Sequence, residues 1–202
     1  MKIGFYTLGC KVNTYETESI WQIFMEQGYD RVTSDEYADV YIINTCTVTN
    51  NGDSKSRKAI RHLIKKNPES VIAVMGCYSQ MDPEKVFEIE GVDIVIGTKN
   101  REKIYDLVEQ VLRERTKIKD VTDVSKYKVF DETHVTNFTE NTRAFLKIQD
   151  GCNNFCSYCI IPFARGPVRS RDKESILKEA SDLVKNNYHE IVLTGIHTGG
   201  YG

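Results

Sequence analysis

Three cysteines fall within eight residues in the stretch Gly151-Cys152-Asn153-Asn154-Phe155-Cys156-Ser157-Tyr158-Cys159. Spacings of three and then two intervening residues let one loop wrap a compact inorganic core from three sides. A structural zinc ion normally takes four ligands, and no fourth cysteine or histidine lies nearby in sequence. A thiolate-rich site with three ligands suits a 4Fe–4S cluster with one iron left open, and that iron can chelate a substrate. The ordinary alternative is a zinc-binding or purely structural set of cysteines.

The other three cysteines, Cys10, Cys46 and Cys77, lie far apart but share one context. They end the segments FYTLGC, VYIINTC and VIAVMGC, each an apolar run expected to be a strand. Parallel strands run ~4.8 Å apart, and open α/β sheets gather ligands outside their carboxyl ends. Cysteines at three such ends can converge on a second cluster, again with an open iron. Small buried core thiols are the competing reading. The N-terminus lacks the apolar stretch and small-residue cleavage site of a signal peptide. No run approaches the ~18 apolar residues of a membrane span. The expectation is therefore a cytoplasmic protein without a membrane partner. In such a reducing compartment six cysteines are poor disulfide candidates, and metal or redox chemistry leads.

The elements that must hold these loops are legible in the apolar pattern. Strands are expected over residues 3–8, 40–43, 71–75 and 92–96. Helices should alternate with them. The first is capped by Asn13 with Glu16 three residues on, carries Ile20, Trp21, Phe24 and Met25 inward, and stops near Gly28. The next runs over 53–66, with Ala59, Ile60, Leu63 and Ile64 as its buried stripe. A short helix opens at Asp82-Pro83, and an amphipathic helix covers 101–114. Such alternation predicts an α/β fold with a mostly parallel sheet and helices on both faces, over residues 1–114. Residues 115–142 read as a polar linker with one or two extended pieces. From 143 to 202 a second alternation begins: strand FLKIQ, the cysteine loop, a helix over 172–186, then strand EIVLT. That is about two strand–helix units, against roughly 250 residues for a complete eight-unit barrel. The expectation is the incomplete start of a barrel.

Net charge is −2, so nucleic-acid contact would need local patches. Lys55, Lys58, Arg61 and Lys65 form one such stripe at helical spacing, flanked by Arg57 and Lys66. It could bind RNA phosphates, although a solvated helix face is the commoner reason for such a stripe. Arg165, Arg169 and Arg171 follow the cysteine loop and could equally contact a substrate phosphate or fix the loop. His197 sits in a glycine-rich stretch that could face the active site. His62, His134 and His189 have no partner by spacing.

The Cys152 loop, with Tyr158 before its third cysteine, resembles the radical S-adenosylmethionine superfamily. Together with Cys10, Cys46 and Cys77 it resembles the methylthiotransferases over essentially the whole chain. Leu8-Gly9-Cys10-Lys11-Val12-Asn13 with Glu16 and Glu18 is most similar to the branch acting on N6-threonylcarbamoyladenosine in tRNA. The resemblance implies a flavodoxin-like domain followed by a radical S-adenosylmethionine (β/α) partial barrel, with two 4Fe–4S clusters and S-adenosylmethionine as cofactors. It implies that Cys152, Cys156 and Cys159 hold the radical cluster, whose open iron binds S-adenosylmethionine and cleaves it to a 5′-deoxyadenosyl radical. It puts Tyr158 by the adenine and Thr194-Gly195 by the methionyl group, although the usual glycine-glycine-glutamate turn is absent there. It assigns Cys10, Cys46 and Cys77 to an auxiliary cluster carrying the sulfur to be methylated and transferred to carbon 2 of the adenosine. The implied partners are tRNA and a cytosolic electron donor. The alternatives are isopentenyladenosine in tRNA or a ribosomal protein as substrate and, from another class, a non-catalytic zinc module. The residues present are expected to be inactive without the rest of the barrel.

Overall fold

The computed structural model describes residues 1–47, 50–139 and 142–202. Two residues of the expected linker, 140 and 141, lie outside the described residues. The chain forms two compact units. The first comprises residues 1–9 and 20–122, the second residues 10–19 and 123–202.

The first unit is built on a six-stranded parallel sheet. In chain order its strands are β1 (Lys2–Thr7), β2 (Asp30–Val32), β3 (Val40–Thr45), β4 (Val71–Gly76), β5 (Ile94–Ile96) and β6 (Ile118–Asp120). They lie side by side as β2-β1-β3-β4-β5-β6. This is the flavodoxin-like order with one strand added, and its winding reverses between β1 and β3. The helices are α1 (Lys11–Glu26), α2 (Asn50–Lys66), α3 (Cys77–Met81), α4 (Pro83–Phe87) and α5 (Ile104–Glu114). Of these, α1 contributes its first half to the second unit and its second half to the first.

Strands β3 and β4 are buried at every position, as expected of a parallel sheet covered on both faces. Alternate side chains feed two cores. Ile3, Phe5, Val40, Ile42, Ala73 and Met75 pack with Ile20, Phe24, Ile104, Val108 and Val111 of α1 and α5. Tyr41, Ile43, Ile72 and Val74 pack on the other face with Ile60 and Leu63 of α2 and with Tyr78 and Val86.

Several expectations need correction. Helix α1 begins at Lys11, so Asn13 lies inside it and is buried rather than capping it. Met25 is half exposed, because the inward stripe is carried by Ile20 and Phe24 with Trp21 at its edge. Strand β6 lies in the segment read as linker and pairs in register with β5, Ile94 opposite Ile118. Its three residues and those of β2 are too few to show a period.

The second unit carries a parallel pair, β7 (Ala144–Lys147) beside β10 (Ile191–Thr194). An antiparallel pair joins β8 (Gln149–Asp150) to β9 (Arg169–Ser170). Between β8 and β9 run the cysteine loop and the short helix α6 (Ile161–Arg165), and α7 (Lys173–Lys185) follows β9. Asp172 caps α7, its carboxylate accepting from the backbone of Glu174 and Ser175. The unit's apolar centre is Tyr15, Val135, Phe138, Ala144, Phe145 and Leu183. No helix among the described residues is long and apolar enough to cross a membrane.

Candidate functional site

The cysteine loop leaves β8 through Gly151, at φ 75°. A side chain there would run into the Gly166 carbonyl oxygen at 2.6 Å and into that of Pro167, which is closer still. Only glycine lets the two backbones meet. The loop is then tied at its stem: the Cys152 N–H donates to the Gly166 carbonyl at 3.0 Å, and the Val168 N–H to Asn153 Oδ1 at 3.0 Å. Within the loop, Cys156 and Cys159 close two tight turns, donating to Asn154 and Cys156 carbonyls at 2.9 Å each.

The stem is buried and the rim is open. Cys156 is exposed, and Cys152 and Cys159 are half-buried. Tyr158 is 91% exposed and Phe155 70%, the latter edge-on to Phe163 with ring centroids 5.7 Å apart. None of the six cysteines is joined in a disulfide. Thr194 is buried at the end of β10. Gly195 passes so close to Gln149 that an added side chain would meet its Oε1 at 2.9 Å. That same Gln149 oxygen accepts the His197 N–H at 2.7 Å, while the His197 side chain is exposed. The turn after β10 is thereby fixed against the strand that leads into the cysteine loop.

Below the loop lies a group of buried charges in the second unit. Glu16 Oε1 accepts from Lys147 Nζ at 2.8 Å and from Arg165 Nη1. Lys147 Nζ also donates to Asp150 Oδ2 at 2.8 Å, and Arg165 Nη2 to Asn13 Oδ1 at 2.7 Å. Arg169 Nη2 stands 3.5 Å from Asp150 Oδ2. A second group surrounds Tyr15. Its hydroxyl lies 2.9 Å from the Thr133 carbonyl and 3.1 Å from Glu179 Oε2, and Arg171 Nη1 pairs with Glu179 at 2.6 Å. Burial pushes the Tyr15 hydroxyl well above its ordinary range, and the Glu179 charge adds to the shift. Burial also raises Glu179, against the opposing pull of Arg171. Arg165, Arg169 and Arg171 are thus all buried in ion pairs. For Arg165 and Arg169, which pair with Glu16 and Asp150 at the stem, this geometry supports fixing the loop, whereas Arg171 pairs with Glu179 of α7.

Cys46 directly follows β3, and its carbonyl accepts from the buried Ser56 hydroxyl at 3.2 Å. Cys77 directly follows β4 and is buried at the start of α3. Thr45 and Gly76, the residues before them, are register partners. Cys10 is exposed just ahead of α1, its thiol donating to Asn13 Oδ1 at 3.5 Å. Lys55, Lys58, Arg61 and Lys65 are all exposed along α2. Arg57 instead donates to the Tyr78 hydroxyl at 3.2 Å, and Lys66 to the Ser34 carbonyl at 3.3 Å.

Among the described residues, no three His, Cys, Asp or Glu side chains gather around a single metal ion. A cubane asks for something different, since each thiolate binds its own iron and the sulfurs stand farther apart. The Cys152 loop meets that requirement in its donor chemistry: three reduced thiols on a stem-tied loop, with an open rim above them.

Residues 2–97 match the uncharacterized protein family UPF0004, and residues 146–201 match the radical SAM superfamily. Over 200 residues the chain is 58% identical to the threonylcarbamoyladenosine tRNA methylthiotransferase MtaB of Bacillus subtilis, covering 99% of this chain and 44% of that protein. The chain belongs to the methylthiotransferase family of radical S-adenosylmethionine proteins. The MtaB of Aquifex aeolicus is 40% identical, over all of this chain and 49% of its own length. A tRNA-2-methylthio-N(6)-dimethylallyladenosine synthase of Clostridium perfringens is 37% identical, over 97% of this chain and 45% of its own. The chain thus spans about half the length of these relatives. Membership carries S-adenosylmethionine and 4Fe–4S chemistry with it.

Sequence reasoning missed the buried charges. Lys147 was the available signal: a lysine in the middle of the apolar strand FLKIQ cannot be buried without a carboxylate, here two of them. Asn13 and Glu16, three apart on α1, face the same partner, Arg165.

Proposed function

We propose that the protein represented by this chain inserts a methylthio group at carbon 2 of N6-threonylcarbamoyladenosine in tRNA by a radical route. The observation that carries this reading is the 58% identity, across 99% of the chain, to a relative named for that activity. The three-thiol loop and the flavodoxin-like sheet support it.

Cys152, Cys156 and Cys159 would hold a 4Fe–4S cluster, which when bound supplies the electron that cleaves S-adenosylmethionine. Tyr158, Thr194 and Gly195 would bind S-adenosylmethionine. The exposed Tyr158 ring is free to cover an adenine, and the buried Thr194 ends the strand that leads into the turn. Cys10, Cys46 and Cys77 would hold a second 4Fe–4S cluster that carries the sulfur. The ends of β3 and β4 stand side by side, Thr45 opposite Gly76, which supports the pairing of Cys46 with Cys77. Lys55, Lys58, Arg61 and Lys65 would contact tRNA phosphates. The electron comes from a cytosolic reductant, and the protein works in the cytoplasm.

The test is nucleoside analysis of tRNA from cells lacking the full-length protein. Loss of the methylthio group from threonylcarbamoyladenosine alone is expected. Loss from the dimethylallyl nucleoside instead would assign the substrate of the Clostridium relative. No change in either would overturn the proposal.

A further inference from the structure

The buried charges beneath the cysteine loop converge on one carboxylate. Glu16 is carried by the first half of α1, yet two cationic partners of its carboxylate flank the loop. Lys147 ends β7, immediately before the strand that feeds Cys152, and Arg165 ends α6, immediately after the loop. All three side chains are at most 2% exposed. Each partner passes the constraint on. Lys147 holds Asp150, whose Oδ1 accepts the Gly151 N–H at 2.8 Å. Arg165 is followed by Gly166, whose carbonyl accepts the Cys152 N–H. One carboxylate therefore ties together both stems of the loop.

We propose that Glu16 is a positioning residue that presets the Cys152–Cys159 loop before any cluster binds. It touches neither substrate nor cofactor, and acts through Lys147 and Arg165. Asn13, three residues before Glu16 on α1, accepts from both Arg165 and the Cys10 thiol, and so links that thiol to the same arginine. The inference rests on the reading of this loop as a cluster site, but the order it predicts belongs to the metal-free protein.

The experiment is amide hydrogen exchange on metal-free full-length protein carrying Glu16→Gln, with Asn13→Ala as a milder variant that removes one Arg165 partner. Exchange at Gly151 and Cys152 should accelerate about tenfold or more, as expected when buried charges lose their partner. Amides of α7, which is held by Leu183 in the apolar centre and by the Arg171–Glu179 pair, should change far less. Iron bound after anaerobic reconstitution should fall in parallel with the loss of protection. Unchanged exchange at Gly151 and Cys152 in both variants would overturn the proposal. Equal acceleration throughout α7 would also overturn it, by reducing Glu16 to general stability. If the unsubstituted protein binds no iron, the cluster reading fails, while the exchange data still judge the clamp.

Discussion

Gly151 offers the sharpest test of how the loop stem is built. Its φ of 75° costs an L-residue about 1–2 kcal/mol by itself. A methyl group at Gly151 would also meet the Gly166 carbonyl at 2.6 Å, where ordinary contact is 3.4–4 Å, and the Pro167 carbonyl more severely. Both neighbours are backbone, so neither can swing aside as a side chain would. Moving them costs about 1–3 kcal/mol of the kind seen in overpacked cores. It also breaks the Cys152-to-Gly166 hydrogen bond, worth about 1 kcal/mol. Gly151→Ala should therefore cost about 3–6 kcal/mol. Gly28 is the control. Its φ is 78°, but nothing lies within 4 Å of an added Cβ. Gly28→Ala should cost only the conformational part, about 1–2 kcal/mol. Calorimetry on the full-length protein should show a fall several times larger for Gly151→Ala than for Gly28→Ala. Iron bound after reconstitution should fall only in the first. Equal effects of the two substitutions would refute the claim that the carbonyl approach, rather than backbone handedness, fixes the stem.

Burial pushes the hydroxyls of Tyr15 and Tyr29 well above the ordinary 10.0, with Glu179 and Glu109 respectively adding to the shift. Their contribution to stability is therefore complete below that value and lost as pH rises above it, where only the unfolded phenols ionise. Phenolate absorbance of the folded protein about one pH unit above the ordinary value should be unchanged by Tyr15→Phe or Tyr29→Phe. Reversing Lys55, Lys58, Arg61 and Lys65 to glutamate should leave the melting temperature nearly unchanged, since all four are exposed. The same variant should weaken tRNA binding and reduce its logarithmic salt dependence by about 0.7–0.9 for each phosphate left unneutralised, read by filter binding across salt. Phe24→Ala should cost about 3–5 kcal/mol in denaturant unfolding, because the ring is fully buried edge-on to Tyr29 and Tyr105 at 5.0 and 5.5 Å.

What the sequence disclosed followed from local pattern. The strands ending near Cys10, Cys46 and Cys77 were legible because parallel strands buried on both faces read as continuous apolar runs. The cysteine loop was legible because its ligand spacing is a local property. Strands β2 and β6 were not, being three residues each and recruited to the sheet by neighbours. The buried charges were hidden for a different reason. Glu16 finds Lys147 at a separation of 131 residues and Arg165 at 149, and no periodicity reports a partner at that distance.

The stretch Asn13-Thr14-Tyr15-Glu16-Thr17-Glu18-Ser19 is largely polar, yet six of its seven residues are buried. Polar groups there are a poor source of stability. Taking each charge out of water costs several kcal/mol, and a well-packed apolar replacement is often neutral or better. What they provide is direction. An apolar contact tolerates sliding and repacking, whereas a carboxylate shared by a lysine and an arginine fixes both heads to within hydrogen-bond tolerance. In the second unit that tolerance is applied where it matters: on the strand before Cys152, on the helix after Cys159, and on the helix that starts beside Cys10. Substituting Glu16, Lys147 and Arg165 together by leucine or methionine should therefore preserve or raise the melting temperature while loosening the loop. Recovered stability without recovered exchange protection at Cys152 is the expected signature. A triple variant that regains both would show that packing alone aims the thiols.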